Sequence, residues 1–201
     1  MFQKRQNICR FSAIYLYEWK LYWKSVSSKG LGVTISSDLS WNAHVDEIIS
    51  KARKRVYKIY QLKRAGINQN GLIRMYVSII RPVNEYACPV WHTNLPKYLS
   101  DNIEMIKKRC LKTIFPGYHY KNILQMVNLP TLLRRRDELC RVYFTKLKSK
   151  DHKLNMLLPK LMVEVCHMPW GCVTTYLSLR AKTNRYKNSF IPWCLEHFQT
   201  G

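Results

Sequence analysis

Acidic side chains are scarce in this 201-residue chain: 12 Asp and Glu stand against 34 Lys and Arg, a formal net charge of +22. So few carboxylates leave little material for the clusters that hold catalytic metals or pair as general acid and base. No two aspartates are adjacent anywhere. Glycine (7) and proline (8) are also sparse, which sets aside collagen-like and low-complexity chains. There is neither a Walker pattern nor a G-x-G-x-x-G, and Gly30-x-Gly32 opens a strand rather than a helix, so no phosphate-cradling loop is expected. No run reaches the ~18 uncharged apolar residues needed to span a bilayer. Lys4, Arg5, Arg10, Glu18 and Lys20 break up any apolar core of a secretory leader. The cysteines, at 9, 88, 110, 140, 166, 172 and 194, are odd in number and irregularly spaced. They read as free thiols of a reducing compartment, so an intracellular location, cytoplasmic or nuclear, is expected.

What the chain does have is apolar and aromatic material, 47% and 12% of its residues. That is too much for a disordered chain and enough to bury a core in one or two modest domains. The positive surplus is spread along the sequence rather than gathered in a tail. Such a field repels itself in a compact fold, and a polyanionic partner is the simplest reason to keep it. Nucleic acid ranks first as that partner and an anionic membrane surface second.

Hydrophobic periodicity predicts a mainly α-helical bundle with one short strand or hairpin near the N-terminus. Residues 1–30, aromatic and basic, have no clear assignment. Gly30–Ser36 reads as a strand, and Ser37–Ser40 as turn and helix-capping chemistry. A helix from about Trp41 to Ala65 carries Val45, Ile48, Ile49, Ala52, Val56, Ile59 and Tyr60 on one face, with Lys63 and Arg64 favourable at its end and Gly66 beyond it. His44 is expected to be exposed at its start; Tyr57 and Tyr60, aromatic rings that could stack on bases, are expected in the core from their helical spacing. A second helix begins near Asn68–Gly71 and should kink or break near Ile80, ahead of Pro82. A third, capped by Ser100 or Asp101, buries Ile103, Ile106, Cys110 and Ile114 and presents Lys107, Lys108, Arg109 and Lys112 outward, ending at Pro116-Gly117. A short helix lies around 122–127. A last long helix, capped by Thr131, uses Leu132, Leu139, Tyr143 and Leu147. Residues 31–150 form the helical domain, and 151–201 read as a loosely ordered C-terminal region.

Leu31-Gly32-Val33-Thr34-Ile35-Ser36-Ser37-Asp38-Leu39-Ser40-Trp41-Asn42-Ala43-His44-Val45 resembles the segment that follows the palm of non-LTR (LINE-type) retrotransposon reverse transcriptases. Glu85–Trp91, Ile106–Leu111, Leu129–Leu132 with Arg135-Arg136, and Arg185–Trp193 resemble later stretches of that family in the same order. The resemblance implies a primer-grip-like role for Leu31, Gly32 and Val33, and a thumb-like bundle in the helices that follow. The family's catalytic Asp-Asp pair has no counterpart here, so the chain is not expected to be an enzyme on its own. Residues 31–64 also resemble the N-terminal region of AlkB-homologue tRNA-modifying dioxygenases. The alternative this implies is a helical module without its own catalytic site.

The positions expected to bind nucleic acid are the basic runs, one per long helix: Lys51, Lys54, Arg55 and Lys58 (with Arg53 among them), then Lys107, Lys108 and Arg109, then Arg134, Arg135 and Arg136. Such runs bind phosphates by releasing counterions, without sequence preference, so RNA, DNA or their hybrid would serve. No catalytic residue, metal, cofactor or small-molecule substrate is expected. His44-Val45-Asp46 fits His-x-Asp, but helix positions two apart point ~200° from one another and cannot share an ion. Cys166, His167, Cys172, Cys194 and His197 form a thin zinc-like set, with free thiols the preferred reading.

Overall fold

The computed structural model describes residues 27–160, 176 and 179–198. It divides into two compact units, Met1–Ile48 and Ile49–Gly201. Helices dominate the second, and the first holds a single antiparallel hairpin and the start of a helix among the described residues.

In the first unit β1 (Ser27–Gly30) pairs with β2 (Val33–Ser36) in the register Ser27↔Ser36 to Gly30↔Val33. Leu31 and Gly32, at φ +48° and +79°, form the connecting turn. Left-handed backbone at both central positions matches the twist of a hairpin, and glycine meets it without strain. The strand expected over Gly30–Ser36 is therefore two pieces: its first residues belong to β1 and the turn, and β1 itself comes from the segment left unassigned. Asp38 Oδ1 accepts from the Ser40 amide at 2.9 Å, turning the chain into α1 (Asn42–Arg64). The hairpin is tied to the first turns of α1. Thr34 Oγ1 donates to Glu47 Oε2 at 2.6 Å, and Lys29 pairs with the same carboxylate. Thr34 N donates to His44 Nδ1 at 3.2 Å. His44 is consequently buried rather than exposed as expected, while Asp46 stays in solvent.

In the second unit α1 buries Ile49, Ala52 and Ile59. Its end is closed by two backbone bonds, Ile67 N to Leu62 O and Gly66 N to Lys63 O, with Gly66 at φ +85°. That pairing satisfies carbonyls the helix leaves open. Helix α2 (Gln69–Met75) starts at Asn68, whose side chain accepts from Gly71 N. It runs through a wide π turn (Tyr76–Ile80) into α3 (Arg81–Glu85). Pro82 has no N–H for the preceding turn, and the widened turn relieves its ring there, so the expected irregularity near Ile80 is present. A left-handed Ala87 then leads to α4 (Cys88–Trp91).

Helix α5 (Lys97–Ile114) begins after Pro96, a turn earlier than expected. Ser100 does not cap it, because its hydroxyl accepts from Arg136 Nη2 at 2.7 Å. After α6 (Tyr120–Met126), Thr131 caps α7 (Leu132–Leu147) by accepting from Arg134 N, as expected. The buried stripe of α7 is Leu132, Arg136, Cys140, Phe144 and Leu147. It is turned from the expected one, with Leu139 and Tyr143 only half-buried. Beyond the 3₁₀ turn Asn155–Leu157 come α8 (Asn184–Lys187) and α9 (Phe190–Phe198). Cys194 and Leu195 of α9 join Phe144 and Leu147 in one cluster, flanked by Leu158, Tyr176 and Leu179. Each large side chain so covered contributes ~1.5–3 kcal/mol. Beyond residue 150, then, α9 packs on α7, whereas the 3₁₀ turn and α8 bury no residue.

Candidate nucleic-acid interface

Between Glu47 and Glu85 the sequence contains no acidic residue, and none occurs between Glu104 and Asp137. Most of α1 and the C-terminal half of α5 come from these acid-free stretches. At ~100° per residue, the buried Ile49, Ala52 and Ile59 fix the outward faces of α1. Lys51, Lys54 and Lys58 fall on one flank and are exposed. Arg53, Tyr57, Tyr60 and Arg64 fall on the other, at spacings of four, three and four residues. Tyr57 is 62% and Tyr60 48% exposed, so both expected core tyrosines are surface groups. The hydroxyl gave no hint of this in the pattern, because an aromatic ring at helical spacing reads as core. Arg55 departs in the opposite direction: half-buried, its Nη1 donates to the Ile79 carbonyl.

The second basic run splits the same way. Lys107 is 1% exposed and donates to the Pro130 carbonyl, so it belongs to the interior and not to the outer face where it was expected. Burial lowers its pKa, and Glu104 nearby opposes the shift. Lys108, Arg109 and Lys112 are exposed. Lys108 and Lys112 stand one turn apart on the same outward line.

The third run is mostly committed to the protein itself. Arg136 is fully buried: Nε donates to His92 Nδ1 at 3.2 Å, and the guanidinium lies 5.6 Å from the Trp91 ring centre. His92 Nε2 is 2.7 Å from Asp137 Oδ1, so both ring nitrogens are engaged. Burial is the main influence on Arg136, pulling its pKa down from the usual value. Arg135 lies 3.3 Å from Glu138 and 3.6 Å from Glu85, while the exposed Arg134 is 3.7 Å from Glu138. The triplet is therefore a structural network joining α3, α4, α5 and α7, with only Arg134 turned to solvent. A local pattern of charges cannot distinguish the two cases, because Glu85, which pairs with Arg135, and His92 and Ser100, which accept from Arg136, are distant in sequence.

At their C-terminal ends α1 and α5 border a groove of about 420 Å³, lined by Tyr60, Lys63, Arg64, Lys112, Thr113 and Pro116. Lys63 donates to the Thr113 carbonyl and ties the walls together. Arg64 and Lys112 have no ion-pair partner among the described residues, and both are exposed. The groove's lining combines the Tyr60 ring and Pro116 with the basic Lys63, Arg64 and Lys112.

The remaining sites named from the sequence lie apart from this surface. Leu31 is 94% exposed at the hairpin tip, Gly32 completes the turn, and Val33 is buried. His44 and Asp46 face different surroundings, as helix geometry requires. Cys194 sits in the α7–α9 cluster, where burial pushes its thiol up to about 12. His197 Nδ1 is 2.9 Å from the Trp193 carbonyl and its ring stacks on that indole. Cys166, His167 and Cys172 lie outside the described residues. Among the described residues no cluster of His, Cys, Asp or Glu is placed to hold a metal ion, and no helix is long and apolar enough to cross a membrane. Compared with protein-family models, with curated proteins and with solved structures, the chain has no match.

Proposed function

We propose that this chain is a non-catalytic, thumb-like helical module that binds nucleic acid through its phosphate backbone, akin to the segment after the palm of LINE-type reverse transcriptases. The observation that carries the reading is the set of exposed basic groups on α1 and α5, drawn from stretches without a single acidic residue. Lys54 and Lys58 on α1 and Lys108, Arg109 and Lys112 on α5 supply the contacts. Charges of this kind have no structural task to compete with phosphate, unlike Lys107 and Arg136. We assign the module no reaction of its own. Each phosphate neutralised releases condensed counterions, so binding weakens steeply with salt and shows little sequence preference.

The test is fluorescence anisotropy of the full chain with labelled DNA duplex and RNA–DNA hybrid across a salt series. Binding is expected at low ionic strength, with log K falling linearly against log salt. The double substitution Lys54→Glu, Lys58→Glu should weaken it without loss of helix by circular dichroism. An absence of salt-dependent binding to every oligonucleotide would refute the reading.

A further inference from the structure

Exposed tyrosines are the feature that phosphate binding leaves unexplained. Tyr57 and Tyr60 lie on one flank of α1 between Arg53 and Arg64, and Tyr60 forms part of the groove that also holds Arg64, Lys112 and Pro116. Four residues spaced over eleven positions extend ~16 Å along the helix. A phosphodiester backbone needs cations but has no use for aromatic faces. An unpaired base does, because every base has a π-face to stack on a ring, whereas a base within a duplex is already stacked on its neighbours. The groove's volume of about 420 Å³ and the Tyr60 and Pro116 in its lining suit a flat ring, and Arg64 and Lys112 beside them suit the flanking phosphates.

We infer that the Arg53–Tyr57–Tyr60–Arg64 ribbon and the groove it enters form a subsite for single-stranded nucleic acid, with a base stacked on Tyr60 and flanking phosphates on Arg64 and Lys112. This rests on the nucleic-acid-binding reading above and adds a preference to it. Lys63 does not join the phosphates, since its ammonium is held by Thr113. The lysines on the opposite flank of α1 contribute to duplex and single strand alike; the tyrosine flank contributes to the single strand alone.

The experiment compares a labelled 12-nucleotide oligo-uridine with a blunt duplex of the same length, using the full chain and its Tyr60→Ala and Tyr60→Phe variants. Stacking of one base corresponds to ~5–150-fold in affinity. Tyr60→Ala should cost at least ~5-fold on the single strand, Tyr60→Phe should retain binding, and neither should change duplex affinity. A side chain this exposed can be removed without unfolding, which a melting curve verifies. Unchanged single-strand affinity in Tyr60→Ala, or an equal loss on both oligonucleotides, overturns the subsite while leaving the backbone-binding reading intact. Failure of the unaltered chain to bind either oligonucleotide overturns both.

Discussion

Lys107 and Lys108 are adjacent and chemically identical, yet one helical step gives them opposite tasks. Lys107 is 1% exposed and bonded to the Pro130 carbonyl; Lys108 is exposed on the outer line of α5. Removing the buried ammonium has two opposing effects. A hydrogen bond from a charged donor is lost, ~1.5–3 kcal/mol, and an ion is no longer held out of water, a relief of similar or larger size. Lys107→Met keeps most of the aliphatic stem, so those terms should nearly cancel, leaving stability within ~1 kcal/mol of the parent. Lys107→Ala undergoes the same polar changes and also loses about three buried methylenes, ~2.4 kcal/mol at ~0.8 each. The Ala variant should therefore melt ~5–10 °C below the Met variant. Lys108→Met should leave the melt unchanged and reduce the salt slope of duplex binding by ~0.9, the value of one phosphate contact. Neither Lys107 variant should alter that slope. The assays are thermal melts by circular dichroism and anisotropy titrations at several salt concentrations. Equal melting of the Ala and Met variants, or a slope change in Lys107→Met matching that of Lys108→Met, would refute the division between interior and surface.

Three further outcomes follow from the packing. Arg136→Ala should be strongly destabilising, ~3–5 kcal/mol by urea unfolding, because it strips partners from His92 and Ser100 and leaves a void beside Trp91. Cys110 is buried, and burial pushes its thiol up from 9.0 to about 12. A folded-state pKa raised in this way favours folding below pH 9 and loses that contribution as pH rises from 9 towards 12, at ~1.4 kcal/mol per pH unit for each such group. Cys194 behaves alike, so stability should fall above pH 9, and Cys110→Ala should show a shallower fall in urea titrations across pH 8–10.5. Leu31→Asn should stabilise the hairpin by ~0.5–1 kcal/mol, since asparagine tolerates φ +48° at this turn position better than leucine, read as greater amide protection at Gly30 and Val33.

Much of the bundle was legible in the sequence because its determinants are local. Gly66 after a basic helix end, Thr131 before Leu132 and Pro82 within an apolar pattern each act within one or two turns. The misreadings share the opposite property. The start of α5 was misplaced because Ser100 and Asp101 look like caps, whereas the Ser100 hydroxyl serves Arg136, which lies far along the chain. The stripe of α7 was rotated because a pattern of apolar residues passes over a buried arginine. Leu31-Gly32 was drawn into a strand because leucine gives no sign of a left-handed turn. The candidate surface was readable as charge but not as geometry. The basic runs on α1 and α5 are plain in the sequence, while only the fold separates Lys107 from Lys108 and turns Tyr57 and Tyr60 outward.

The most direct measurement is lysine footprinting: brief modification of the folded chain by an amine-reactive reagent, with and without a saturating oligonucleotide, read residue by residue by mass spectrometry. Lys54, Lys58, Lys108 and Lys112 should react freely in the unbound chain and become protected on binding. Lys107 should stay unreactive in both states, and the exposed Lys150 and Lys153 should react equally in both. Protection spread evenly over all exposed lysines, or absent from α1 and α5, would contradict a binding surface built on those two helices.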